Sequence, residues 1–261
     1  MLTKQQISDF RSNGVLVIEQ LITEGAIQKL RHRVGAHSGR PESLFPETIW
    51  SSNRGKGKGH GLSIDYLRKF INCAKNDDVF MEHAKSPMLL DVIESLLGPD
   101  IKLLTDQLFI KPPGGMEKTY HQDSPYFPIR PMELVSSWTA LDDVTLDNGC
   151  LWVVPGSHLG GALPHSEVWM RGDREDMRVP DQIIDREVEQ PILLKAGDVS
   201  FHHGLLLHRS GPNRTSTRRR GLATHYMRPS RVGLARNYLS LLIPFFAGRV
   251  TKVAFEIGAM S

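Results

Sequence analysis

Residues 118–128 read Lys-Thr-Tyr-His-Gln-Asp-Ser-Pro-Tyr-Phe-Pro, with His121, Gln122 and Asp123 at the centre. In an extended segment successive side chains alternate, so His121 and Asp123 point to the same side. A second His from a distant strand would complete two imidazoles and one carboxylate on one face of a metal. His208, which opens His208-Arg209-Ser210-Gly211-Pro212-Asn213, is the candidate. That donor set leaves coordination positions open and is the usual site of non-haem Fe(II) oxygenases. A His-x-Asp triplet alone arises often by chance, and it is the pair of contexts that carries the reading.

Outward from this stretch the texture is that of strands. Residues 101–111, 135–141, 151–154, 191–195 and 199–208 are short extended candidates. They are punctuated by turns at Asp147-Asn148-Gly149, Pro155-Gly156-Ser157 and Ala196-Gly197-Asp198. There is no regular strand–helix alternation, no Gly-rich dinucleotide fingerprint and no internal repeat. A mainly β protein follows, with helices packed outside an antiparallel double-sheet barrel. Upstream, Thr3 caps a helix over residues 3–10 with Gln6 at the capping-box position, and Gly14 ends it. Residues 15–18 read as a buried strand, residues 23–34 as an amphipathic helix and residues 77–97 as a helix interrupted near Pro87. The run Gly55-Lys56-Gly57-Lys58-Gly59-His60-Gly61 lacks the Lys-Ser/Thr ending and the leading strand of a phosphate loop. Residues 38–62 are therefore read as a flexible surface loop or active-site flap. Residues 160–190 form a charged insertion, and the apolar tail from residue 232 packs on the body or on a second subunit. The expectation is one domain over residues 1–261, comprising a mainly helical part (1–100), a barrel (101–230) and a C-terminal packing segment (231–261).

The composition excludes several classes. At 261 residues, with 40% hydrophobic and 23% charged residues, the chain suits one soluble domain with a substantial core. A net charge of +3 does not read as a nucleic-acid binder, although Arg214, Arg218, Arg219, Arg220, Arg228 and Arg231 cluster late in the chain. Such a cluster is ordinarily a solvated basic face, here with one functional member. Cys73 and Cys150 give no disulfide framework and fit a reducing compartment. No apolar run approaches a membrane span, and the polar start and the Gly-Ala-Met-Ser end carry no targeting signal. The expectation is a cytoplasmic monomer or homodimer acting on a small molecule.

Of the 11 histidines, His32, His37, His60, His83, His158 and His165 lack a suitably spaced carboxylate and read as surface or packing residues. His202 and His203 compete with His208, and along one continuous strand His202 and His208 share parity. The text after His208 favours it: Ser210, Asn213, then arginines. An iron oxygenase needs a co-substrate that supplies two electrons, and 2-oxoglutarate chelates metal through its keto-acid end. Its far carboxylate then needs a buried, permanently charged, bidentate partner, the speciality of Arg.

These residues carry a resemblance. Residues 111–131 (KPPGGMEKTYHQDSPYFPIRP), 136–165 (SSWTALDDVTLDNGCLWVVPGSHLGGALPH) and 196–226 (AGDVSFHHGLLLHRSGPNRTSTRRRGLATHY) resemble the phytanoyl-CoA dioxygenase family of Fe(II)/2-oxoglutarate oxygenases. The resemblance implies a double-stranded β-helix, or jelly-roll, fold. It implies iron at His121, Asp123 and His208, and a far-carboxylate clamp of Arg219 with Ser210. Gln122 and Trp138 would line the co-substrate pocket, to which we also assign Lys111, Gln107 and Thr105. Tyr120, Tyr126 and Phe127 flank the ligand strand and are assigned to the substrate pocket, although barrel wall is an equal reading. Asn148-Gly149 reads as a hairpin turn and nothing more. The implied activity is oxidation of a C–H bond of a small molecule with O2 and 2-oxoglutarate. Hydroxylation leads, with desaturation, cyclisation or epimerisation in secondary metabolism also expected of such proteins. Halogenating relatives replace the metal carboxylate, and this chain keeps Asp123. The competing readings are an acyl-CoA or carrier-bound acyl hydroxylase, a zinc hydrolase and a non-catalytic ligand- or metal-binding barrel. A dicarboxylate clamp argues against the hydrolase.

Overall fold

Helix α1 (Lys4–Asn13) starts at the expected capping box, with Thr3 Oγ1 accepting from Gln6 N and the Gln6 side chain accepting from Thr3 N. It ends where Gly14, at φ 77°, turns the chain left-handed and donates its N–H to Phe10 O. That reversal feeds strand β1 (Val15–Ile18). A computed structural model of the chain describes residues 1–37, 49–50, 67–127, 129–165, 167–170, 176–229 and 243–246. Apart from residues 49–50, the expected loop at 38–62 lies outside the described residues, as does most of the 231–261 segment. Helix α2 (Glu24–His37) buries Ile27, Leu30 and Val34 at the predicted spacing. After β2 (Ile49–Trp50) and β3 (Leu67–Ile71) come three short helices, α3 (Cys73–Asn76), α4 (Asp78–Ala84) and α5 (Pro87–Leu97). The last two are the helical stretch expected over residues 77–97 with its break near Pro87, and α3 is an addition that the sequence reading lacked. Asp77 restarts the chain as the cap of α4, accepting from Val79 N. Pro87, which lacks an N–H, begins α5 where no donor is needed.

The remaining strands are β4 (Asp100–Lys111), β5 (Lys118–His121), β6 (Leu134–Ala140), β7 (Leu151–Val153), β8 (Glu167–Met170), β9 (Asp176–Arg178), β10 (Gln190–Ile192), β11 (Val199–His203), β12 (His208–Ser210), β13 (Arg219–Met227) and β14 (Ile243–Phe246). The large sheet runs β1-β11-β6-β13-β4-β3-β2, with β14 also paired to β4, and the small sheet runs β10-β7-β12-β5. All of these pairings are antiparallel. Two facing sheets with helices on one outer face make a double-stranded β-helix. Strand β13 shows how period-2 alternation divides the core. Leu222 and Tyr226 join the helix-side cluster of Ile27, Leu30, Phe80, Leu89 and Ile93, while Ala223 joins Trp138, Val153 and Ile192 between the sheets. At roughly 1.5–3 kcal/mol per large buried apolar side chain, the helical layer is what fixes the back of the large sheet.

One strand expectation changes. Residues 199–208 were read as a single strand, but the chain leaves the large sheet after His203 and re-enters the small one at His208. Gly204 makes the crossing: a Cβ there would lie 2.2 Å from Ser124 Oγ and 2.8 Å from Leu134 Cδ2. Its N–H donates to Leu134 O and its carbonyl accepts from Ser124 N. His202 and His208 therefore sit on opposing sheets, with ring centroids 5.0 Å apart. Among the described residues no helix is long and apolar enough to cross a membrane.

Candidate metal centre and anion pocket

Strands β5 and β12 pair with His121 opposite His208, which brings the two rings to a centroid separation of 4.2 Å on the inner face of the small sheet. Asp123 arrives differently from expectation. Strand β5 ends at His121, and Asp123 takes helical dihedrals (φ −76°, ψ −45°) at the head of the short 3-10 turn Ser124–Tyr126. Its carboxylate still converges, with Oδ1 lying 3.9 Å from His121 Nε2 and 3.7 Å from His208 Nε2. One donor atom from each of the three residues lies within 4.8 Å of the others.

The hydrogen bonds behind the rings decide which nitrogens face the centre. His121 Nδ1 is 2.9 Å from Thr119 O, and His208 Nδ1 is 2.9 Å from Leu206 O. A carbonyl only accepts, so each Nδ1 carries the proton and each Nε2 presents a lone pair towards Asp123. Burial, then neighbouring cations, pushes His121 well below the ordinary imidazole range, and burial also lowers His208 despite Asp123. Burial alone would raise Asp123, but the surrounding His208, His202 and His225 outweigh it and hold the carboxyl well below the usual range. Two neutral imidazoles and one carboxylate suit a divalent transition metal of the iron type. The second carboxylate oxygen is held elsewhere: Ser136 Oγ donates to Oδ2 at 2.8 Å, with His202 Nε2 at 3.3 Å and His225 Nδ1 at 3.8 Å.

Along β12, two residues beyond His208, the barrel carries the opposite charge. Lys111 Nζ donates to Ser210 Oγ at 2.9 Å and also to Gly211 O. Directly across from Lys111 on β13 is Arg219, 3% exposed. Arg219 Nη2 donates to Gly149 O at 2.8 Å, its guanidinium lies 5.1 Å over the Trp138 ring, and its Nε is buried without a partner. Among the described residues no carboxylate forms an ion pair with Lys111 or Arg219; Asp142, whose charge acts on Arg219, is engaged by Arg220, and Glu117 acts on Lys111 through its charge. Burial and Arg219 hold Lys111 well below its ordinary value, and burial pushes Arg219 down to about 10. Ser210 Oγ accepts from Lys111 and so keeps its own proton for a ligand. Two buried cations without an anion cost several kcal/mol each unless a negative group joins them.

Other expected residues divide. Trp138 lies between the sheets as the floor under Arg219. Gln107 stands opposite Ala223 and so shares its inner face, whereas the Thr105 hydroxyl donates to Asn72 Oδ1. Gln122 is fully buried and committed, with Nε2 donating to Gly161 O and Leu205 O and Oε1 accepting from Leu163 N. It braces loops, with both of its amide donors committed to backbone carbonyls. Tyr126, 41% exposed, stands edge-on to His121 at 6.1 Å and to His165 at 5.7 Å. Phe127 packs on His225 at 5.6 Å. Tyr120 is not with them, because alternation sends it to the far face of β5. There its ring joins Val154, Val179, Ile184 and Leu207 and its hydroxyl bonds Glu189.

Sequence reasoning passed over several residues that the fold brings in. His165, read as ordinary, accepts from Gln122 N at Nε2. Gly149, read as a turn and nothing more, supplies the carbonyl that holds Arg219, and its φ of 87° is the conformation glycine favours. Parity from Arg219 along β13 was the available signal for His225.

Three comparisons bear on these observations. A profile of the phytanoyl-CoA dioxygenase (PhyH) family matches residues 10–221. Peroxisomal phytanoyl-CoA dioxygenase of Rattus norvegicus is 31% identical over 237 residues, covering 87% of this chain and 68% of the relative. Among solved structures, the non-heme monooxygenase ThoJ superposes with a TM-score of 0.69 at 26% identity, covering 94% of this chain and 84% of that one. The epimerase SnoN, in complex with Fe3+, alpha ketoglutarate and nogalamycin RO, superposes with a TM-score of 0.65 at 20% identity, covering 99% and 95%.

Proposed function

Because the chain belongs to the phytanoyl-CoA dioxygenase family, and so to the Fe(II)/2-oxoglutarate-dependent oxygenases, we propose that it oxidises a C–H bond of a small organic molecule at a centre built from His121, Asp123 and His208. The observation that carries this reading is the unpaired cationic couple, Lys111 and Arg219, beside Ser210 on the strand that carries His208. A hydrolytic metal centre has no use for a buried anion clamp at that position. A dicarboxylate held at one end by the metal and at the other by Arg219, Lys111 and Ser210 uses both. Iron, when bound, couples O2 reduction to conversion of 2-oxoglutarate into succinate and CO2 and so supplies the oxidising power.

The protein's own residues bind, orient and exclude water. Thr119 O and Leu206 O fix the tautomers of His121 and His208. Arg219, immobilised by Gly149 O and the Trp138 face, and Ser210, aimed by Lys111, orient the far carboxylate. Apolar packing of Trp138, Leu206 and Ala223 between the sheets keeps that end dry, where a charged hydrogen bond is strongest. Tyr126, with an exposed edge beside His121, is where a substrate makes its first contact. Hydroxylation is the leading outcome, and a small metabolite is preferred to an acyl thioester.

The test is succinate formation from 2-oxoglutarate with Fe(II) and ascorbate, screened against a metabolite panel by mass spectrometry. Anaerobic titration of Fe(II) and 2-oxoglutarate should develop a metal-to-ligand charge-transfer band that Asp123→Ala and His208→Ala abolish. A full-strength band in either variant would refute the ligand assignment.

A further inference from the structure

Across the inner wall of the large sheet, three polar residues stand in one row on three adjacent strands. His202 on β11 and His225 on β13 are both in register with Ser136 on β6 between them. All three are buried, and all three aim at one atom, Asp123 Oδ2. Ser136 Oγ donates to it at 2.8 Å, which uses the single hydroxyl proton. The Ser136···His225 contact of 2.7 Å must then run from His225 Nδ1–H to Ser136 Oγ. The other donor is His202 Nε2, 3.3 Å from Oδ2.

We infer that His202 is a positioning residue that holds Asp123 Oδ2 against the large sheet, so that the carboxylate offers a metal one oxygen, Oδ1, and not both. The inference rests on the reading of His121, Asp123 and His208 as the metal centre. The geometry separates the two oxygens cleanly. Oδ1 faces His121 Nε2 and His208 Nε2 across the interior, while Oδ2 faces His202, Ser136 and His225. A carboxylate oxygen only accepts, so His202 Nε2 carries its proton and has no lone pair there for a metal. This distinguishes His202 from His208 even though their rings are 5.0 Å apart. It also gives the second oxygen a reason to stay back. Without His202, Oδ2 keeps only the Ser136 donor directly and is free to rotate towards the metal as a second donor atom. That rotation would close a position the co-substrate and O2 require.

The test uses the apo-protein and Co(II) alone as the probe, with affinity and visible d–d absorption as readouts independent of turnover. Co(II) absorbs more weakly as its coordination number rises, so the band reports whether one or both carboxylate oxygens bind. In His202→Phe, which keeps the ring volume and removes the donor, the Co(II) band should weaken as the second oxygen joins the metal, and affinity should fall roughly 10–100-fold because the carboxylate is no longer held in the orientation that the two imidazoles require, with the metal-free melting temperature unchanged. His202→Gln, whose amide N–H reaches to a similar distance, should restore affinity and spectrum to within a few-fold. Wild-type affinity and spectrum in His202→Phe would overturn the inference, as would equal impairment of the Phe and Gln variants. Loss of Co(II) binding as complete as in Asp123→Ala would overturn it by making His202 a ligand. If His202→Phe does not fold, His202→Asn, too short to reach Oδ2, carries the same comparison against Gln. Failure of the wild-type chain itself to bind Co(II) would remove the metal-centre reading, an outcome distinct from the others.

Discussion

Gly221→Ala is a one-methyl test of how the proposed anion clamp is held. Gly221 lies on β13 between Arg219 and Ala223, on the inner face, where the Trp138 indole crosses the strand. A Cβ there would stand 1.9 Å from Trp138 Cζ2, 2.3 Å from Cη2 and 2.5 Å from Cε2, against 3.4 Å or more for ordinary contact. Neither partner can yield locally. The neighbouring β6 is buried along its whole length, and Trp138 is 4% exposed. The ring must move, and the group resting on it is the Arg219 guanidinium, 5.1 Å from its centroid. Overpacking of this kind costs about 1–3 kcal/mol, and at roughly 2–4 °C per kcal/mol for a domain of this size the melting temperature should fall by about 2–12 °C. Displacing a charge-assisted contact is worth a further ~1.5–3 kcal/mol in ligand binding, so KM for 2-oxoglutarate should rise about 10–100-fold. Both quantities are measured on the same preparation, by calorimetry and by succinate release. Gly25→Ala is the control: nothing lies within 4 Å of a Cβ there, so stability should hold or rise slightly. A Gly221→Ala protein with wild-type KM would refute the coupling, even if its melting temperature fell, because Trp138 would then have moved without carrying Arg219.

Arg219→Ala should raise KM for 2-oxoglutarate by about two to three orders of magnitude, since a buried carboxylate left unpaired costs roughly 3–5 kcal/mol. Arg220→Ala, which breaks a bidentate bond to Asp142 on the other side of β13, should leave KM unchanged, and the reverse pattern would show the register argument to be wrong. Burial lowers His83 to about 4, with its Nε2 3.1 Å from Thr139 Oγ1, so the folded chain holds it neutral while the unfolded chain protonates near 6.5. The unfolded state binds the extra proton, so stability is lost as pH falls from 6.5 towards 4, by on the order of 3 kcal/mol from this residue. His83→Gln should flatten that slope in melting curves between pH 7 and 5; an identical slope would place the titration elsewhere.

Much of the fold was legible because it is local. The capping box at Thr3 and Gln6, the helix stop at Gly14 and the alternation in β13 depend on near neighbours, and each appears where the pattern puts it. The inward turn of Arg219 and the outward turn of Arg220 follow from the same alternation. Tyr120 was legible by that rule too. Next to an inward His121 it must point outward, and flanking the motif in sequence was a poorer guide than parity.

What alternation cannot supply is the point at which a strand stops. Residues 199–208 satisfy it throughout, yet the chain changes sheets inside them, and the cause is a contact with Ser124 and Leu134, far away in sequence. Asp123 met His121 not by strand parity but by leaving the strand into a 3-10 turn. The glycines make the same point from the other side. Gly149, Gly204 and Gly221 matter through an atom that each lacks, against Gly211 O, Ser124 Oγ and Trp138 respectively. A close approach belongs to two segments at once, and a linear reading sees only one of them. For this reason the convergence of His121, Asp123 and His208, which announce themselves by residue type, was readable, while the clearances that set Arg219 and Asp123 in place required the fold.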